Sequence, residues 1–178
     1  MGLGDRPEVR HPPRSQPNIR AMEEGEMSLF TVLAPKVMRD LEAAFGLRDF
    51  QAAGVVGSIG RECGGFTQLR ELGPGGHPLP EGQGGYGWCQ WTGSRARSFM
   101  SFSHQNHWDW QSYEANWGYL RYELRGEYYP VVVALRKCAD LKEAVIEFEK
   151  HYERAGVVAM GDRLDWAERA MLASNGVG

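Results

Sequence analysis

The segment spanning residues 73–87, GPGGHPLPEGQGGYG, constrains this chain most, because it packs seven glycines and three prolines into fifteen positions. Proline removes a backbone donor and glycine loses the most entropy on ordering, so the stretch excludes a long helix and favours turns or a short irregular hairpin. Helix-like patterns lie on both sides of it. The expected architecture is therefore mainly α (α+β), interrupted once by a small Gly-rich irregular or β-hairpin lobe. At 178 residues and 42% hydrophobic composition, one domain with a real core is expected.

Residues 1–27 hold four prolines among charged residues and lack apolar periodicity. Burial there would not offset the ordering entropy, so they read as a disordered or linker tail, with the domain at 28–178. A first helix is expected from near Pro35, with Val37, Leu41 and Ala44 or Phe45 on one face and a stop at Gly46. The second runs from about Arg48 to Arg61, and its small residues suit a central helix gripped by its neighbours. Helical patterns recur in SRARSFMSFSHQ, in SYEANWGYLRYELRG and in DLKEAVIEFEKHYERAG, where Leu141, Val145, Phe148 and Tyr152 align and Gly156 is the stop. A last helix spans about Asp162 to Ala173.

A formal charge of −3, with scattered Lys and Arg, offers no basic stripe for phosphates, so nucleic acid is not an expected partner. No apolar run approaches the ~20 residues of a spanning helix, and no secretory leader is visible, so stable membrane insertion is not expected. Cys63, Cys89 and Cys138 lack CxxC spacing and read as free thiols of a reducing compartment. His104 and His107 have no carboxylate or thiol cluster beside them, so neither a metal site nor a cofactor is expected.

The stretch VVGSIGRECGGFTQLRE places one acid, Glu62, where a helix breaks at Gly64 and Gly65. A carboxylate at a helix C-terminus faces the negative pole of the helix dipole, and apolar packing opposes ionisation too, so Glu62 is expected to stay protonated. A neutral glutamic acid can donate a proton to a leaving glycosidic oxygen. The plain alternative is a solvated glutamate at a fraying helix end. Downstream, GGYGWCQWTGSR combines Gly85, which allows close approach, with the flat faces of Tyr86 and Trp91 and the polar groups of Gln90, Thr92 and Arg95. Such a set suits the wall of a sugar-binding groove, although the same aromatics would equally serve a core.

Taken in order, GSIGRECGGFTQLRE, GGYGWCQWTGSR, SYEANWGYLRYEL and FEKHYERAG with the following Arg163 resemble the phage tail lysozyme family, in the lysozyme-like superfamily, over roughly residues 35–173. The resemblance implies a compact lysozyme-like helical domain that cleaves the β-1,4 bond between N-acetylmuramic acid and N-acetylglucosamine in peptidoglycan glycan strands. Glu62 corresponds to the glutamate of the family's glutamate-serine motif and Gln90 to the glutamine after its glycine-rich turn. Cys63 replaces the usual serine, and a thiol is the weaker donor. Tyr152 is a further candidate near Glu62, or else a core residue.

A hydrolase needs a second group about 5 to 9 Å from the acid. Glu71 is the first choice and Glu81 the more distant one; a lytic transglycosylase would need neither, because the substrate's own hydroxyl attacks. Two further alternatives are a thiol peptidase or amidase using Cys63 or Cys89 with a histidine such as His77, and an idle wall-binding module of a phage tail or secretion apparatus. Without an export signal, the enzyme would be made in the cytoplasm and delivered to the cell wall, as an endolysin, a tail protein or an effector. The expected partners are then a tail or secretion-system component, or an inhibitor protein.

Overall fold

The computed structural model describes residues 19–153 and 159–176, with side chains from residue 29 onward. Seven α-helices follow in chain order: α1 (Ile19–Phe45), α2 (Asp49–Glu62), α3 (Gly93–Gln105), α4 (Tyr113–Arg125), α5 (Tyr129–Leu135), α6 (Leu141–Phe148) and α7 (Met160–Ser174). A single π-turn, Glu149–Glu153, continues α6. Among the described residues no strand forms. The Gly-rich lobe between α2 and α3 is held by isolated antiparallel bridges, Arg70 to Tyr86, Leu72 to Pro78 and Tyr86 to Trp91.

The first helix starts earlier than its pattern suggested, at Ile19, with Pro35 inside it. Residues 1–18 of the expected tail lie outside the described residues, while the remainder of the 1–27 segment forms the first turns of α1. The short α5 went unforeseen. Its sequence, YPVVVAL, is β-branched, but Pro130 stands in the first turn, where its missing N–H costs nothing.

Ten consecutive residues of α2, Gln51 through Gly60, are buried, so this helix is covered on every side. Its glycines make that possible. A Cβ at Gly54 would lie 2.7 Å from the Ala144 Cβ of α6, and one at Gly57 would lie 2.5 Å from the Ala167 Cβ of α7. Gly60 faces Phe30 of α1 and Trp166 of α7, whose rings meet edge-on at 4.6 Å. At the start of α2, Arg48 N–H donates to Gln51 Oε1 at 2.9 Å, and Gln51 Nε2 reaches Cys138 O at 3.1 Å. The expected central helix is thus the observed one.

Local signals fix the other ends. Ser112 Oγ accepts from Ala115 N at 3.1 Å to start α4, and Asp140 Oδ1 accepts from Glu143 N at 2.9 Å to start α6. Residues 141–153 do not form one helix running to Gly156. After Phe148 the chain widens into the π-turn, which re-aims Tyr152 and Glu153, and residues 154–158 lie outside the described set.

Candidate active site

Glu62 is the last residue of α2. Gly64 and Gly65 both adopt left-handed conformations, with φ of 53° and 63°, and Gly65 N–H bonds back to Gly60 O at 2.9 Å. That bond ends the helix as a Schellman motif, which only residues tolerant of positive φ close cheaply. The breaking glycines therefore leave Glu62 on the last turn of a buried helix, with its side chain only partly exposed.

One face of that carboxylate meets a cation. Arg163 of α7, 1% exposed, donates from Nη2 to Glu62 Oε1 and from Nη1 to Ser58 O at 3.3 Å. Glu62 thus faces a guanidinium, where apolar packing alone was expected around it. The carboxyl that burial keeps protonated is Glu153, in the π-turn: desolvation first, then the negative charge of Glu62, push it up to about 8 against the opposing pull of Arg163 and Arg95. Its Oε1 is shut off from solvent, and none of the described residues donates to it.

The thiols do no comparable work. Cys63 Sγ donates to Ile59 O at 3.1 Å, one turn back along α2, instead of orienting Glu62. Burial raises the pKa of both Cys63 and Cys89, which removes the thiolate that a thiol peptidase requires. No cysteine is bridged, and no cluster of His, Cys, Asp or Glu suited to a metal occurs among the described residues.

Gln90 reaches the same helix end through one intermediary. Its Nε2 donates to Gln68 O and to Gly87 O, both at 2.9 Å, while Gln68 N–H donates to Cys63 O at 2.9 Å. The side chain keeps Oε1 as an acceptor and is partly exposed. Gln90 also adopts a φ of 45°, a left-handed conformation that costs a non-glycine residue about 1–2 kcal/mol. Gly85 leaves the space this requires, since a Cβ there would lie 2.8 Å from Gln90 atoms.

The aromatic candidates belong to the core. Trp91, 1% exposed, packs its ring on Phe99 and Tyr119, and its Nε1 donates to Glu123 Oε2 at 2.9 Å. Glu123 also accepts from Arg95 Nε and Nη2, each at 2.8 Å, and from the Tyr152 hydroxyl. This buried knot pins α3, α4 and the π-turn together, so neither Trp91 nor Tyr152 has a face free to stack on a sugar. Tyr86 is buried as well, with the Arg70 guanidinium 4.1 Å from its ring centroid and its hydroxyl accepting from Gly82 N at 2.9 Å. Thr92 is exposed at the start of α3.

Glu71 lies in the Gly-rich lobe. Its Oε2 accepts from Gly85 N at 2.7 Å, and its backbone is bonded to Gly85 and Leu79. Sequence reading missed Glu153 and left Arg163 without a role. Glu153 sits among the charges of EKHYER, which look like a solvated helix face until the π-turn buries Glu149 and closes the Glu153 Oε1 off from solvent.

A helical domain that ends its buried central helix in a carboxylate beside a short Gly-rich lobe is of the lysozyme-like class. Residues 34–173 match the family model for phage tail lysozyme, and the chain belongs to that family. It is accordingly a peptidoglycan-cleaving, lysozyme-like enzyme that acts on the cell wall. No curated protein and no solved structure matches the chain. Among the described residues no helix is long and apolar enough to cross a membrane.

Proposed function

We propose that the chain is a muramidase that hydrolyses the β-1,4 bond between N-acetylmuramic acid and N-acetylglucosamine, with Glu62 as general acid. One observation carries this reading: the partly exposed Glu62 carboxylate at the end of a buried helix, paired with the buried Arg163 guanidinium. A general acid becomes an anion as it gives its proton to the leaving oxygen. A guanidinium fixed against it stabilises that anion, and does so without reorganising at the moment of reaction. The same negative charge faces the oxocarbenium-like sugar of the transition state.

Gln90 Oε1 and Thr92 supply polar contacts to the glycan, whereas the buried Tyr86, Trp91, Gly85 and Tyr152 support the wall from behind. Glu71 is not proposed as the second group, because its carboxylate braces Gly85. That commitment favours a second reading, a lytic transglycosylase in which the substrate's own hydroxyl attacks. Either enzyme would reach the wall through a delivery system such as a phage tail. Dye release from labelled peptidoglycan tests the proposal: Glu62→Gln, with an unchanged circular dichroism spectrum, should lose nearly all activity, and wild-type rates in that variant would end it.

A further inference from the structure

Two buried polar atoms near Glu62 lack partners among the described residues: the acceptor Glu153 Oε1 and the donor Arg163 Nε. Buried polar atoms are seldom left unpaired, because each costs about 1–3 kcal/mol, and the exceptions call for an explanation. Glu153 and Glu62 lie within electrostatic reach of each other and of the same Arg163, on the π-turn, α2 and α7 respectively. The other charge facing Glu153, Arg95 of α3, is already neutralised by Glu123 of α4. The remaining titratable neighbours, Cys63, Cys89 and Tyr152, are buried and held neutral, and the Cys89 thiol gives the Glu153 carboxyl only a weak hydrogen bond. Among the described residues, two carboxyl groups therefore compete for one uncompensated cation.

We propose that Glu153 is a positioning residue for Glu62: the two carboxyl groups hold one proton between them against the single Arg163 charge, and Glu153 keeps that proton available to Glu62. This rests on the reading of Glu62 as the acid. With the proton on Glu153, Glu62 is the anion paired to Arg163; with the proton on Glu62, Glu153 is the anion. The net charge of the trio is zero in both arrangements, so the exchange moves the negative charge inward beside Arg163 without changing the total. When Glu62 gives the proton to the glycosidic oxygen, the trio is left with two carboxylates and one guanidinium. Its net charge of −1 then faces the cationic sugar, until a proton from water or the attacking group restores the trio.

Such a dyad titrates as a unit, and its upper step belongs to the pair. Burial of Glu153 sets that step near 8, so the acid form persists at neutral pH. Removing Glu153 leaves Glu62 as the one carboxyl of the trio, paired with Arg163 and with no neighbour to hold the shared proton.

The test compares pH–rate profiles of dye release for wild type, Glu153→Gln and Glu62→Gln, alongside carbon-13 carboxyl NMR titrations of wild type and Glu62→Gln. The expected profile for Glu153→Gln has its basic limb displaced to lower pH by more than about one unit, with kcat lowered at pH 7 and KM little changed. In the titrations, one glutamate of wild type should ionise near 8 and should do so at lower pH in Glu62→Gln. An inactive Glu62→Gln with an unmoved basic limb in Glu153→Gln would overturn the dyad while leaving the proposed function standing. Full activity in Glu62→Gln would fell the proposed function itself. Should Glu153→Gln fail to fold, the titrations decide: no carboxyl ionising above about pH 6 refutes the shared proton.

Discussion

Gly57→Ala adds one methyl group at the contact that seats α7 on α2. The new Cβ would lie 2.5 Å from the Ala167 Cβ, 2.6 Å from Arg163 O and 2.7 Å from Ala167 N. Ordinary carbon contacts are about 3.5–4.0 Å, so α7 must retreat by roughly 1 Å. Two opposing effects act on stability. Alanine in place of glycine favours a helix by about 1 kcal/mol, while overpacking costs about 1–3 kcal/mol. Two of the three close atoms are backbone and cannot rotate away, which puts the cost near its upper end and the net loss at about 1–2 kcal/mol. For a chain of this size that lowers Tm by about 2–8 °C.

The retreat also draws Arg163 away from Glu62, and a misplacement of ~1 Å near reacting groups can cost about 100-fold in rate. Thermal melting followed by circular dichroism, together with dye release from labelled peptidoglycan, reads both effects. Gly161→Ala is the control: it sits in the same helix with no atom of another described element within 4 Å of its added Cβ, and should be neutral or stabilising. A Gly57→Ala protein that melts at or above the wild-type temperature with full activity would refute this view of how α2 and α7 set the site.

Trp91→Phe removes the indole donor to Glu123 and should cost about 1–2 kcal/mol in a denaturant melt with glycan affinity unchanged; weaker glycan binding at unchanged stability would return Trp91 to the groove. Glu71→Gln keeps an oxygen for Gly85 N–H, so turnover should persist with a loss within about 1.5 kcal/mol of stability. A large fall in kcat at constant Tm would instead place Glu71 among the reacting groups. Stability should also carry the signature of Glu153. Its folded pKa, about 8, lies above the ordinary value of 4.5, so its contribution is full below 4.5 and declines as pH rises toward 8. Melting temperatures from pH 5 to 8 should therefore fall more steeply in wild type than in Glu153→Gln, and parallel curves would contradict the burial of that carboxyl.

Much of the fold was legible because its signals are local. The glycines of α2 mark close helix contacts, Gly64 and Gly65 mark a left-handed helix end, and the Gly- and Pro-rich stretch excludes a helix at 73–87. Pro35 misled because a helix can accommodate proline, so a strong local signal was outweighed by the apolar contacts of Phe30 and Ala34 on the side of it nearer the N-terminus. Trp91 was ambiguous for a different reason: an aromatic beside glycines fits a groove or a core equally well until its indole N–H is seen to meet Glu123, thirty-two residues away. Glu62 could be found from chain chemistry alone, but its ion pair with Arg163 spans 101 residues, and the inward turn of Glu153 depends on a π-turn with no periodic signature.

Mass spectrometry of the muropeptides released from purified peptidoglycan, by wild type and Glu62→Gln side by side, bears most directly on Glu62 as the acid that breaks the glycan. Wild type should release glycan fragments with new N-acetylmuramic acid ends, reducing for a hydrolase and anhydro for a transglycosylase, and the folded Glu62→Gln protein should release none; the same fragments from both proteins at the same rate would contradict that role.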